Sequence, residues 1–157
     1  MAYPDEDTPL LLLLVLATRH LVEALQEHLV AAGFEDHRVV HHNVMAHVTY
    51  EGIRLTELAE KAGVTKQAMS ELVGDLERRG YLRREPDPAD GRAKLVRFTD
   101  RGHQAVDAAM RAFDRIEGGL AGRVGAELLG AVRRGLLGVI AADLPGPPPR
   151  RRGRSPS

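Results

Sequence analysis

A mainly α fold with a small β-hairpin wing is predicted by three observations. Apolar residues recur at helical spacing over residues 8–32 and again towards the end of the chain. Met69, Leu72, Val73 and Leu76 follow the i, i+3, i+4, i+7 pattern of one buried helix face. Between these segments, the runs YLRRE and AKLVRF flank the Pro/Asp/Gly-rich stretch PDPADG, the pattern of two short strands around a turn.

The elements follow in order. In residues 8–32, Leu14, Leu21, Leu25 and Leu29 form one stripe, widened by Leu10, Leu11 and Val22, and Gly33 stops the helix. A shorter helix fits residues 39–48, with Val40, Val44, Met45 and Val48 inward. A brief extended piece at Ile53 and Arg54 leads to a helix over residues 56–61 and a turn through Ala62 and Gly63. Thr65 is placed to cap the next helix, which runs to Arg79 and is ended by Gly80. Opposite its apolar face it carries Gln67, Ser70, Glu71, Gly74 and Arg78, with no large apolar residue among them. Pro86 and Pro88 suit the hairpin loop better than a ladder position. Thr99 caps a long helix expected to end at Ile116, broken by Gly118, Gly119 and Gly122, and a last helix spans residues 124–143.

Composition narrows the function classes. The chain has 157 residues, 43% of them hydrophobic, enough for one domain with a buried interior. It has no cysteine, which removes disulfides, thiolate metal sites and thiol redox switching and suits a cytoplasmic protein. The apolar run 10–17 is too short to span a bilayer and follows acidic residues, unlike a signal peptide, so no membrane partner is expected. Lys plus Arg equals Asp plus Glu, 22 against 22, yet residues 1–60 hold 3 basic and 10 acidic side chains while residues 61–101 hold 10 and 7. Local charge, rather than the total, decides whether a face attracts a polyanion.

Helix, glycine-containing turn, capped helix and hairpin, in that order, make a winged helix-turn-helix. The capped helix presents Thr65, Lys66, Gln67 and Ser70 to base edges in the major groove, where Gln pairs with adenine. A hairpin tip carrying Arg92 suits the neighbouring minor groove, Lys94 the adjacent phosphates, and Asp90 is spaced to pair with Arg92 and fix its direction. Two lobes double the base contacts, and the leucine-rich first helix and the run ELLGAVRRGLLGVIAADL hold more apolar surface than one small lobe covers, so a homodimer is expected. The division is a helical dimerisation region at 8–34 and 103–143, a DNA-binding domain at 35–102, and a disordered basic tail at 144–157.

The stretch RLTELAEKAGVTKQAMSELVGDLERRGYLRREPDPADGRAKLVRFTDRG resembles the DNA-binding core of the MarR family of bacterial transcription regulators. The wing matches through Asp87, Pro88, Asp90, Arg92 and Lys94. The resemblance covers residues 54–102 closely; the flanking helices match only in plan. It implies a homodimer with interlocked first and last helices, a pseudo-palindromic double-stranded DNA operator, and a repressor released by a small, often phenolic or anionic, inducer. His20, His41, Val44 and Arg111 are the pocket residues expected on that fold-level analogy alone. Glu71 and Gly74 depart from the family pattern, because a carboxylate facing DNA costs affinity unless it accepts from a cytosine amine or pairs within the protein.

Two other readings stand beside this one. A winged-helix interaction module without DNA recognition fits Glu71 and the neutral total charge. A metal-dependent regulator would use His37 and His41, which share a helix face if the second helix begins early, although no cysteine assists them. No enzyme is expected, since there is no nucleophile elbow and no phosphate-binding glycine loop. No cofactor and no bound metal are expected either.

Overall fold

The structure, a computed structural model, describes residues 4–142. The tail expected at 144–157 lies outside the described residues. The chain divides between Gly118 and Gly119 into two compact units.

In the first unit, α1 (Leu10–Ala31) is followed by α2 (Val39–Met45), β1 (Ile53–Arg54), α3 (Leu55–Lys61) and α4 (Lys66–Arg78). Then come β2 (Leu82–Asp87), β3 (Asp90–Phe98) and α5 (Asp100–Val124), which runs on past Gly118. The three strands form an antiparallel sheet in the order β1-β3-β2, with Ile53 opposite Val96 and Leu82 opposite Phe98. The wing is therefore a hairpin whose long strand is also held by β1.

One core, built from Val44, Leu58, Met69, Val73, Leu76, Tyr81, Leu82 and Val96, joins α2, α3 and α4 to the sheet. Met69, Val73 and Leu76 are fully buried, as the periodicity of α4 requires, and Leu72 packs against them partly buried. Removing these side chains from water is the main force that seats α4, worth about 1.5–3 kcal/mol for each large apolar residue. A second cluster joins Leu25 and Leu29 of α1 to Ala108 and Ala112 of α5.

Several expectations change. In α1 only Leu25 and Leu29 are buried, whereas Leu10, Leu11 and Leu21 are exposed, because within the first unit the packing against α5 engages only the second half of that helix. α2 ends at Met45 rather than residue 48, and Val40 is exposed rather than inward. Pro86 lies within β2, opposite Lys94, not in the loop. β2 is an edge strand, where a missing N–H is tolerated, and the register shifts directly after Pro86. α5 continues through Gly118, Gly119 and Gly122 to Val124. Glycine weakens a helix without removing a backbone hydrogen bond, and the break falls at Gly125, whose φ of 89° is open to glycine and costly for other residues.

In the second unit, α6 (Ala126–Ala141) follows Gly125. None of its residues is buried: Leu128, Val132, Leu137 and Ile140 are all exposed.

Candidate nucleic-acid interface

Thr65 caps α4 as expected, its Oγ1 accepting from the Ala68 N–H at 3.2 Å. This satisfies one of the free amides of the first turn and sets where the helix starts. Lys66 and Gln67 then project, exposed, from that turn, and Ser70 follows one turn on, partly buried. Four of the anticipated residues, Lys66, Ser70, Arg92 and Lys94, line one concavity of about 470 Å³ between α4 and the wing.

Arg54, Thr56 and Arg84 also line it, with Leu55, Ala93 and Val96, bringing the cations around it to Arg54, Lys66, Arg84, Arg92 and Lys94. Two of these act as braces. Arg54 donates through Nε and Nη2 to Asp87 Oδ2 at 2.8 and 2.6 Å, across 33 residues of sequence. Arg84 donates to the Ser70 carbonyl at 3.2 Å and pairs with Glu77 at 3.1 Å, tying the wing strand to α4. The Ala89 N–H and the Arg54 guanidinium together hold the Asp87 carboxyl below its usual range. Lys66, Arg92 and Lys94 are exposed and form no ion pair with any described residue.

Asp90 supports the wing differently from the expected pairing. Its Oδ1 accepts from the backbone N–H of Arg92 at 3.2 Å, and its Oδ2 lies 3.7 Å from Arg54 Nη2. The Arg92 guanidinium pairs with no described residue and lines the concavity. Sequence reasoning missed the bracing roles of Arg54 and Arg84, which no local pattern signals, because their partners meet them only through the sheet.

Behind α4 lies a polar network centred on Asp75. Its carboxylate receives Arg79 Nε at 3.0 Å, Arg38, His41 Nε2 at 2.9 Å and Arg78 at 3.1 Å. The Arg79 hydrogen bond is the largest of the effects that push its pKa well below the ordinary carboxylate value. Asp36 accepts from Tyr81 Oη at 2.6 Å and from Arg101 Nη2 at 2.8 Å, fastening the α1–α2 loop to the base of the wing. Burial of Tyr81, with Asp36 beside it, raises the phenol far above its usual pKa.

The four pocket residues do not share a cavity. The His20 side chain is 72% exposed, His41 and Val44 are fully buried in the packing, and Arg111 lines a separate groove with Glu27, His28 and Arg115. A different, partly open cavity of about 380 Å³ is lined by apolar side chains of α1, α2 and α5, among them Leu25, Met45, Met110 and Phe113, with His37 and His42 as its imidazoles. The two rings stack at 5.0 Å. His37 Nδ1 and both ring nitrogens of His42 are buried without a hydrogen-bond partner. Burial, with His42 and His41 adjacent, pushes His37 down to about 4, and burial lowers His42 as well.

A metal pair at His37 and His41 is not formed. His37 precedes α2 rather than sharing its face, and both nitrogens of His41 are committed: Nδ1 accepts from the Arg38 N–H at 3.1 Å, while Nε2 donates to Asp75. Among the described residues no group of three or more His, Cys, Asp or Glu side chains is placed to hold a metal ion. No helix among them is long and apolar enough to cross a membrane.

Residues 37–93 match the model of the MarR family. The transcriptional regulator HosA of Escherichia coli is 37% identical over 76 residues, which cover 48% of this chain and 56% of HosA, so the chain spans little more than half of that relative. Among solved structures, a MarR-family transcriptional regulator from Rhodococcus sp. RHA1 aligns with a TM-score of 0.65 at 25% identity, over 82% of this chain and 90% of that one. CouR from Rhodococcus jostii RHA1, solved bound to p-coumaroyl-CoA, has the same fold, with a TM-score of 0.68 at 23% identity over 92% of this chain and 100% of its own. Over residues 37–93 this chain is similar to the MarR family, and the winged lobe those residues build has the fold of the MarR-family structures it aligns with.

Proposed function

We propose that this chain is a dimeric, sequence-specific DNA-binding transcriptional regulator, a repressor released by a small-molecule ligand. The observation that carries this reading is the concavity between α4 and the wing, where Lys66, Arg92 and Lys94 pair with no described residue and stand beside the braced Arg54 and Arg84. Thr65, Lys66, Gln67 and Ser70 are the major-groove residues, Arg92 enters the minor groove, Lys94 holds the neighbouring phosphates and Asp90 supports the wing. Pairing of Arg84 with Glu77 ties the wing to α4, and pairing of Arg54 with Asp87 stiffens the wing itself, before DNA arrives.

Dimerisation is supported by apolar surface that a lone chain leaves in water. Leu10, Leu11 and Val15 on α1, and separately Leu128, Leu137 and Ile140 on α6, are all more than half exposed. The domain division follows: the flanking helices hold the dimer, and residues 35–102 bind an operator of two half-sites about 34–36 Å apart. Ligand control is supported by the cavity beside His37 and His42, whose unpartnered nitrogens suit a small, mainly apolar molecule bearing a hydrogen-bonding group. CouR's own ligand complex is a precedent for ligand binding in this fold.

The test is fluorescence anisotropy with DNA from the region upstream of the coding sequence against a scrambled duplex, at several salt concentrations. Sequence-selective binding that weakens steeply with salt is expected. Arg92→Ala should weaken it by about 5- to 150-fold. Absence of binding even at low salt overturns the reading in favour of a protein-interaction module.

A further inference from the structure

We infer that Glu71 is a specificity-determining residue that accepts a hydrogen bond from the exocyclic amine of a cytosine in the operator's major groove. The inference rests on the DNA-binding reading and names a base contact within it. A carboxylate on a DNA-facing helix has two ways to escape phosphate repulsion: a partner inside the protein, or a donor on a base. The structure removes the first. Of the three acidic residues of α4, Asp75 is held by Arg79, Arg38 and His41, and Glu77 by Arg84. Glu71 is exposed and has neither hydrogen bond nor ion pair with any described residue. Arg78, two turns along the same face, is committed to Asp75.

Its position points the same way. Met69, Val73 and Leu76 bury the inner face of α4, and Glu71 stands four residues after Gln67, about 40° around the helix on the outward face. Gly74 shares that face. A Cβ there would meet only the tip of Arg78, at 3.7 Å, and the helical backbone requires no glycine. A glycine in a helix interior weakens it relative to alanine, and no internal packing accounts for this one. A bare backbone next to Glu71 lets a duplex come close enough for a short side chain to reach a base edge.

The chemistry selects the base. In the major groove guanine presents two acceptors and thymine one, all repelling a carboxylate, while adenine sets an acceptor beside its amine. Cytosine alone presents a donor without an acceptor.

Affinity selection from a pool of randomised duplexes, with the wild type, Glu71→Ala and Glu71→Gln, tests this. The wild-type consensus should hold one C·G pair in each half-site whose replacement by T·A weakens binding about 5- to 150-fold. Glu71→Ala should lose selectivity at that pair alone while binding unrelated duplex more tightly, and Glu71→Gln should enrich adenine there. An alanine variant that returns the wild-type consensus with its cytosine intact, or a consensus lacking such a pair, overturns the assignment and leaves the DNA-binding reading standing. A wild type that enriches no sequence overturns both. The exposed position leaves the core untouched, and circular dichroism of each variant separates misfolding from altered readout.

Discussion

Acidification from about pH 7.5 to about pH 4.5 charges His37 in the unfolded chain long before it does so in the folded one. The side chain is 3% exposed, one ring nitrogen has no partner, and its pKa falls from 6.5 to about 4. Between those values the unfolded state binds more protons than the native state, so stability is complete above pH 6.5 and declines as the pH drops towards 4. A shift of this size corresponds to about 3 kcal/mol as a ceiling, and to about 2 kcal/mol once solvent screening is allowed for. That is a large part of the roughly 5–15 kcal/mol by which a domain is normally stable. His41 and His42 are also pushed down, chiefly by burial, and add to the loss in the same direction. Asp36, Asp75 and Asp87, all held below 3.8, lose their contribution progressively from about pH 5 downwards, which leaves the range above about pH 5 to the histidines. Urea unfolding at fixed protein concentration across this pH series measures the effect. In His37→Phe, which keeps a ring beside Tyr81 and His42, the slope should flatten by His37's share. An identical pH dependence in wild type and variant would refute the argument.

Two further substitutions probe the frame that carries the interface. A methyl group on Gly102 would lie 2.1 Å from the Tyr81 carbonyl oxygen and 2.9 Å from Phe98 Cδ1. Because that carbonyl also accepts from the Thr99 N–H at 3.0 Å, Gly102→Ala should destabilise by about 3 kcal/mol or more in chemical unfolding, and a loss below about 1 kcal/mol would contradict so tight a seam. Thr65→Ala removes the cap of α4 and should cost about 1 kcal/mol, with hydrogen exchange accelerating first in the amides of residues 66–69.

The winged helix was legible in the sequence because each of its signals is local. Thr65 marks the start of α4 by capping chemistry and Gly80 its end, since a φ of 76° suits glycine. The buried triad of Met69, Val73 and Leu76 follows from helical spacing alone. Arg92 and Lys94 were placed on the wing by the turn that precedes them. Strand limits were less legible: β1 is two residues long and is held in the sheet by pairing with β3, which no two-residue pattern can signal. The break between the last helices was misplaced because glycine content lowers helix propensity without deciding where the backbone turns, and of Gly118, Gly119, Gly122 and Gly125 only the last adopts a positive φ.

By itself, then, the sequence determined the order of helices and hairpin, which face of α4 is buried and which side chains project from it, since these depend on neighbours within a turn or two. Tertiary structure decided what those side chains meet. The Arg54–Asp87 brace spans 33 residues and the His41–Asp75 bond 34, and neither partner carries a mark that names the other. The same holds for the cavity. His37 and His42 line it and His41 does not, although all three sit within six positions of sequence, because the packing of α1 and α5 against α2 determines which rings face the empty space. Local chemistry fixes direction along the chain, whereas burial and charge pairing are properties of the assembled fold.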